Sequence, residues 1–202
     1  MPLFCARPGQ YISCMRLFSL VIAIAVLSRA ASSQPAPDGP DTDFVQRAFG
    51  KSCSLEPNAP FATGDLNGDG VEDLAVVARC KNPLIDQDEY NFRVIDPYYS
   101  FYGYGNPRVT SQIGQDDPRR KSVVLLVIHG DGPDAWRSQA PKAKFLIINL
   151  PVKQIAVKKM RLKKRKTGTA IYVEESGGDQ MTSAIFWDGK KYRYEPLGSS
   201  ME

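Results

Sequence analysis

One ten-residue stretch constrains the local fold more than any other part of the chain. Asp65-Leu66-Asn67-Gly68-Asp69-Gly70-Val71-Glu72-Asp73-Leu74 places side-chain oxygens at relative positions 1, 3, 5 and 9, with glycine at position 6. Side chains two apart on a tightly coiled loop converge on one point, and the glycine permits the sharp turn. Position 7 adds the backbone carbonyl of Val71. Hard oxygen donors in this number, with the carboxylates of Asp65, Asp69 and Asp73 among them, suit Ca²⁺. Magnesium demands tighter octahedral geometry and keeps more water. The plain alternative is an acidic turn that holds no ion. An EF-hand begins in the same way but closes its shell with a bidentate glutamate at position 12, where this chain has Val76. Its loop also runs into a helix, whereas Leu74-Ala75-Val76-Val77-Ala78 is an apolar run rich in valine and reads as a strand.

The remaining segments point the same way. Residues 74–78, 123–128, 145–150, 155–162, 170–173, 184–187 and 192–194 are short β-branched, aromatic or alternating runs between turn residues. Asp188-Gly189 is the two-residue turn of a tight hairpin, which would set Ile185 opposite Tyr192, Ser183 opposite Tyr194 and Phe186 opposite Lys191. One short helix is expected near the start, through Phe44, Val45, Ala48 and Phe49, capped by Asp41, Thr42 or Asp43 and ended by Gly50. Gly130-Asp131-Gly132-Pro133-Asp134 reads as a turn between strands. The expected fold class is mainly β, with antiparallel, blade-like meanders in a single domain over residues 44–202.

The segment from Thr63-Gly64-Asp65 to Val77 resembles the FG-GAP or VCBS repeat, the unit of integrin α-subunit propellers and of many secreted bacterial proteins. In that family the loop joins two strands of a blade and coordinates calcium. The resemblance implies that Asp65, Asn67, Asp69 and Asp73 are side-chain ligands and that Val71 supplies a carbonyl ligand. It covers about fifteen residues and occurs here in one copy. A closed propeller needs several four-stranded blades, so a small β domain that borrows the strand-loop-strand unit is expected instead.

Residues 17–27 form an apolar run of 11, broken only by Ser19, that follows Arg16 and precedes Ser28-Arg29-Ala30-Ala31-Ser32. This is the pattern of a secretory signal peptide over residues 1–32, and the run is short against the roughly 20 residues that span a bilayer. Met15 is the more natural start, because residues 1–14 make an unusually long preceding region. No cysteine follows the run at a small-residue cleavage point, so a lipid anchor is not expected. Loss of the leader removes Arg7, Arg16 and Arg29 and takes the net charge from +4 to about +1. The basic whole-chain pI is therefore no signature of nucleic-acid binding. Residues 33–43, rich in Pro, Gly and Asp, read as a flexible linker. Cys53 and Cys80 remain as an even pair in an exported, secreted or periplasmic chain, and a disulfide between them is expected, with two free buried thiols as the alternative.

Two further segments bear on partners. Residues 84–115 hold Tyr98, Tyr99, Tyr102 and Tyr104 among Gly, Pro, Asn and Asp without a clean period. Such a loop is either an aromatic surface that stacks on a carbohydrate or protein ligand, or a packed loop that covers a sheet edge. Residues 153–166 hold eight cations, Lys163 and Lys164 included, and no acid. They suit either an anionic surface or polyanion, or a solvated edge strand protected by lysine. The chain has a single histidine, His129, no Gly-x-Ser-x-Gly elbow and no phosphate-cradling loop with lysine. An enzyme is therefore not expected, a carboxylate-based hydrolase being the remaining catalytic option. The leading expectation is a calcium-stabilised extracytoplasmic protein with a binding or structural role.

Overall fold

The computed structural model describes residues 39–97, 122–162, 167–175 and 180–197, all within one compact unit that begins at Gly39. The expected leader, Tyr98, Tyr99, Tyr102 and Tyr104, and Lys163 and Lys164 lie outside the described residues. Helix α1 (Thr42–Phe49) starts where Asp41 accepts the Phe44 N–H at 2.6 Å and ends at Gly50, whose N–H donates to the Gln46 carbonyl. Of the three cap candidates Asp41 is the one used, so the last two residues of the expected linker, Thr42 and Asp43, already belong to the helix. The turn of helix buries Val45 and Phe49.

Ten short strands follow among the described residues and fall into two sheets: β1 (Cys53–Ser54), β2 (Phe61–Gly64), β3 (Asp73–Cys80), β4 (Arg93–Ile95), β5 (Val123–His129), β6 (Ala143–Ile147), β7 (Val152–Arg161), β8 (Thr167–Glu175), β9 (Ser183–Trp187) and β10 (Tyr192–Pro196). The first sheet has the order β1-β3-β5-β6-β4, with β2 also paired to β3. Because β5 lies along one edge of β3, β1 and β2 share the other, β2 opposite residues 73–76 and β1 opposite residues 79–80. The second sheet is the meander β10-β9-β8-β7. The mainly β, largely antiparallel architecture is thus as read, and it is not a closed barrel or propeller.

Three layers result. Alternate side chains of the central strands point to opposite faces. Leu74, Val76, Val124, Leu126, Ile128 and Leu146 pack against Val45 and Phe49 of α1. Ala75, Leu125, Val127, Phe145 and Ile147 pack against Ile155, Ile171, Val173, Ile185 and Tyr192 of the second sheet. Strands β3 and β5 are buried on both faces, which is why they read as continuous apolar runs rather than as alternating ones.

Three local expectations are corrected. First, residues 84–97 are not loop throughout: they include a short helix, α2 (Gln87–Tyr90), and strand β4, which pairs parallel with β6 while Phe92 enters the helix-side core. The strand is only three residues long, too short to show a period. Second, the β9–β10 hairpin is shifted by two residues: Tyr192 faces Trp187 and Tyr194 faces Ile185. Asp188 stands before the turn rather than in it, and its carboxylate accepts the N–H groups of Lys190 and Lys191 while Gly189 takes the positive φ of 96°. Third, β6 ends at Ile147, two residues before Asn149 with φ 61°, so the run read as 145–150 is strand only in its first half.

The disulfide joins Cys53 to Cys80, directly opposed residues of β1 and β3. It ties the segment after α1 to a central strand, closing a loop of sequence separation 27. In the chain-entropy account such a loop is worth about 3 to 4 kcal/mol. The double variant Cys53→Ala/Cys80→Ala is expected to lose roughly that amount in denaturant unfolding relative to oxidised wild-type protein; equal midpoints for the two would mean that the bridge adds no stability.

Candidate metal loop and its supports

The loop lies between β2 and β3, which pair from Phe61 with Val76 to Gly64 with Asp73. Its coil is set by its own side chains. Asp65 accepts the N–H groups of Gly68 at 2.7 Å and Asp69 at 3.0 Å with one oxygen, and that of Gly70 at 3.0 Å with the other. Asn67 accepts the Asp69 N–H and Asp69 accepts the Val71 N–H, each at 2.9 Å. Gly68 and Gly70 take φ values of 83° and 84°, the left-handed region that a β-carbon would penalise.

Four of the five residues singled out in the sequence, Asp65, Asn67, Asp69 and Val71, lie on this coil. Asp73 is set apart. Its side chain is fully buried, with one oxygen accepting the N–H groups of Leu66 at 2.8 Å and Asn67 at 3.2 Å, and the other the Gly130 N–H at 2.8 Å. Burial pushes its pKa up to about 6, helped by the Asp69 charge and opposed by the three N–H donors. Asp73 therefore ties the loop to the end of β5 and faces three backbone donors.

Two residues complete the arrangement: Lys142, which the sequence reading passed over, and Glu72, which it read as pointing away from the ion. Lys142, just before β6, places its ammonium 2.8 Å from Asp69 and 3.8 Å from Asp131. Burial tends to raise the Asp69 pKa, but the Lys142 ammonium and the Val71 and Asn67 donors hold it below its ordinary value. The lysine in turn is raised by its bond to Asp69. Glu72 turns the other way, accepting the Trp136 indole N–H at 3.2 Å and lying 3.8 Å from Arg137. No spacing in the sequence could show either contact, since both partners lie more than sixty residues away.

As a test of fit to calcium, the donors of Asp65, Asn67 and Asp69 are hard oxygens on one coil, and a cation, the Lys142 ammonium, already sits on Asp69. Asp73 fits less well as a direct ligand, because its carboxylate is fully buried and one oxygen turns away from the coil to the Gly130 N–H, whereas the donors that Asp65 accepts all lie on the coil itself. In EF-hand loops, whose first positions carry the same donor pattern, position 9 often acts through water. Among the described residues no three His, Cys, Asp or Glu side chains are gathered into a preassembled metal group.

His129, the single histidine, ends β5 beneath the loop. It is 3% exposed and packed by Phe145, Trp187 and Tyr192, with Nε2 2.7 Å from the Tyr192 hydroxyl. Burial lowers its pKa to about 4 and raises that of Tyr192 well above the usual phenol value. The pair is thus neutral, and His129 is a hydrogen-bonded core residue. Compared with known proteins, the chain matches no family model, no curated relative and no solved structure.

The imidazole C2 proton should titrate near pH 4 by NMR. An unfolded histidine titrates near 6.5. The folded form therefore refuses a proton that the unfolded chain accepts, and His129 contributes stability above pH 6.5 that is lost as pH falls toward 4, about 3 kcal/mol in all. Asp73 acts in the opposite sense, its contribution being present below pH 3.8 and lost as pH rises through 6. A titration midpoint near 6.5 would mean that the imidazole is solvated.

Proposed function

We propose that this chain is an exported, calcium-stabilised domain of the FG-GAP or VCBS type, with a binding or structural role and no catalytic activity. The observation that carries the reading is the Asp65-to-Asp73 coil, set between paired antiparallel strands and wrapped on Asp65 through three N–H bonds. Asp65, Asn67 and Asp69 would hold the ion, with Val71 as the carbonyl ligand and Asp73 as the brace that fixes the loop on Gly130. Calcium supplies charge neutralisation there and adds folding stability by binding the native state alone. Export is supported by the apolar run at residues 17–27 and by the disulfide, which persists in oxidising compartments. No helix among the described residues is long and apolar enough to cross a membrane. The burial of His129 supports the non-enzymatic reading.

A second reading, attachment to an anionic surface, is favoured by one observation. Lys158, Lys159 and Arg161 are exposed on β7, the edge strand of the second sheet. Lysine on an edge also blocks strand-to-strand aggregation. Retention on a polyanion column that falls steeply with salt would favour attachment.

Thermal melts in millimolar calcium and in chelator separate the calcium reading from a bare acidic turn. A site filled at about 100 times its dissociation constant raises stability by about 2.7 kcal/mol, a shift of several degrees. Asp69→Ala and Asp65→Ala should abolish the shift. Glu72→Ala should keep it. Lys142→Met removes a competing cation from Asp69 and should tighten calcium binding several-fold. Identical wild-type melts under both conditions, with no binding heat, would leave only an acidic turn.

A further inference from the structure

A cleft of about 480 Å³ opens on the helix side of the first sheet, between α1, the end of β5 and the turn that follows it. Its size falls within the range of small-molecule sites. We propose that it binds a small organic anion, a carboxylate or phosphate carried on a flat apolar body.

The cations of the cleft come from three separate elements: Arg47 from α1, Arg137 from the single 3₁₀ turn at Ala135–Arg137, and Lys144 from β6. Against them stands one acid, Glu72, 3.8 Å from Arg137 and shared with the Trp136 indole N–H. Among the described residues Arg47 and Lys144 have no carboxylate partner. Lys144 is half-buried, and its ammonium donates to the Ala48 carbonyl at 2.8 Å. An ammonium carries three donors, so two remain to be satisfied. Lys144 is half-buried whereas Arg47 and Arg137 are exposed, and together these cations outnumber their counter-charges, leaving a local excess of positive charge that an anion would neutralise.

The apolar half of the proposed ligand is matched by Phe44 and Trp136, whose rings meet edge to face at 5.1 Å. Arg137 lies over the Trp136 ring at 4.0 Å, so its guanidinium is held by stacking and by Glu72 together. The turn that carries both residues is built with strain. That strain is at Ala135, whose φ of 54° a β-carbon disfavours; the turn also packs closely on the end of β5, where a β-carbon on Gly130 would come within 2.4 Å of the Glu72 carbonyl oxygen and 2.7 Å of the Trp136 nitrogen. Backbone strain of this kind persists where surrounding structure enforces it, as at ligand-binding turns. The cations line one open cleft of bounded size, which suits one small anion better than an extended polyanion.

The test is calorimetric titration of the full chain with 2-naphthoate and 2-naphthyl phosphate, with uncharged 2-naphthol as comparator. Saturable binding of at least one anion is expected, roughly tenfold or more tighter than 2-naphthol. Which of the two binds identifies the head group. The variant Arg47→Gln/Lys144→Gln should lose that advantage while still binding 2-naphthol as wild type does, and chelator should not remove it. Should the double variant fail to fold, Arg47→Gln alone, exposed on α1, should weaken the anion several-fold at an unchanged melting temperature. Absence of saturable anion binding up to millimolar concentration overturns the proposal. So does 2-naphthol binding as tightly as the anions, or a variant that binds the anion as wild type does.

Discussion

The carboxylate of Asp73 joins parts of the chain that are otherwise unrelated. It stands at the first residue of β3, fully buried, and takes N–H groups from the loop before it and from Gly130 beyond the end of β5. A buried carboxylate without partners would be strongly disfavoured, whereas three donors make the position tolerable and fix its direction. The loop conformation, the start of the central β3–β5 pairing and the approach of the turn carrying Trp136 are therefore set at one place. Gly130 must be glycine for the same reason, since a β-carbon there would strike the Glu72 carbonyl.

From that point the two faces of the first sheet diverge. One receives α1 and, at the rim, Phe44 against Trp136. The other receives the second sheet, with Phe145, Trp187 and Tyr192 enclosing His129. The imidazole Nε2 and the phenol share a hydrogen bond of 2.7 Å, so the polar pair in this apolar layer is joined through its own groups. Glu72 and Asp73, neighbours in sequence, point to different environments, as successive residues entering a strand must. The glutamate braces the turn on the helix side, and the aspartate braces the loop from below.

Much of the fold was legible from local pattern. The short helix capped within Asp41 to Asp43, the apolar runs of β3 and β5, the Cys53–Cys80 bridge and the strand-loop-strand unit all rest on signals within a few residues of one another or on a pair with no competitor. The failures also have local causes. Strand β4 is too short to carry a period, and the hairpin register turned on whether Asp188 stands before the turn or within it. A carboxylate that accepts the next two N–H groups favours the former, and composition alone does not separate the two positions.

In the candidate site, sequence determined donor type and spacing, because Asp65, Asn67 and Asp69 build their coil from bonds among residues 65–71. Tertiary structure alone decided what surrounds it: that Lys142 lies on Asp69, that Asp73 turns inward to Gly130, and that Glu72 serves Trp136. Those contacts span 57 to 73 residues of chain and depend on strand order, which short-range periodicity does not encode. The same holds for the clustering of Arg47, Arg137 and Lys144 around one cleft. Each lies on a separate element, and only the packing of α1 and the turn on one face of the sheet brings their charges together.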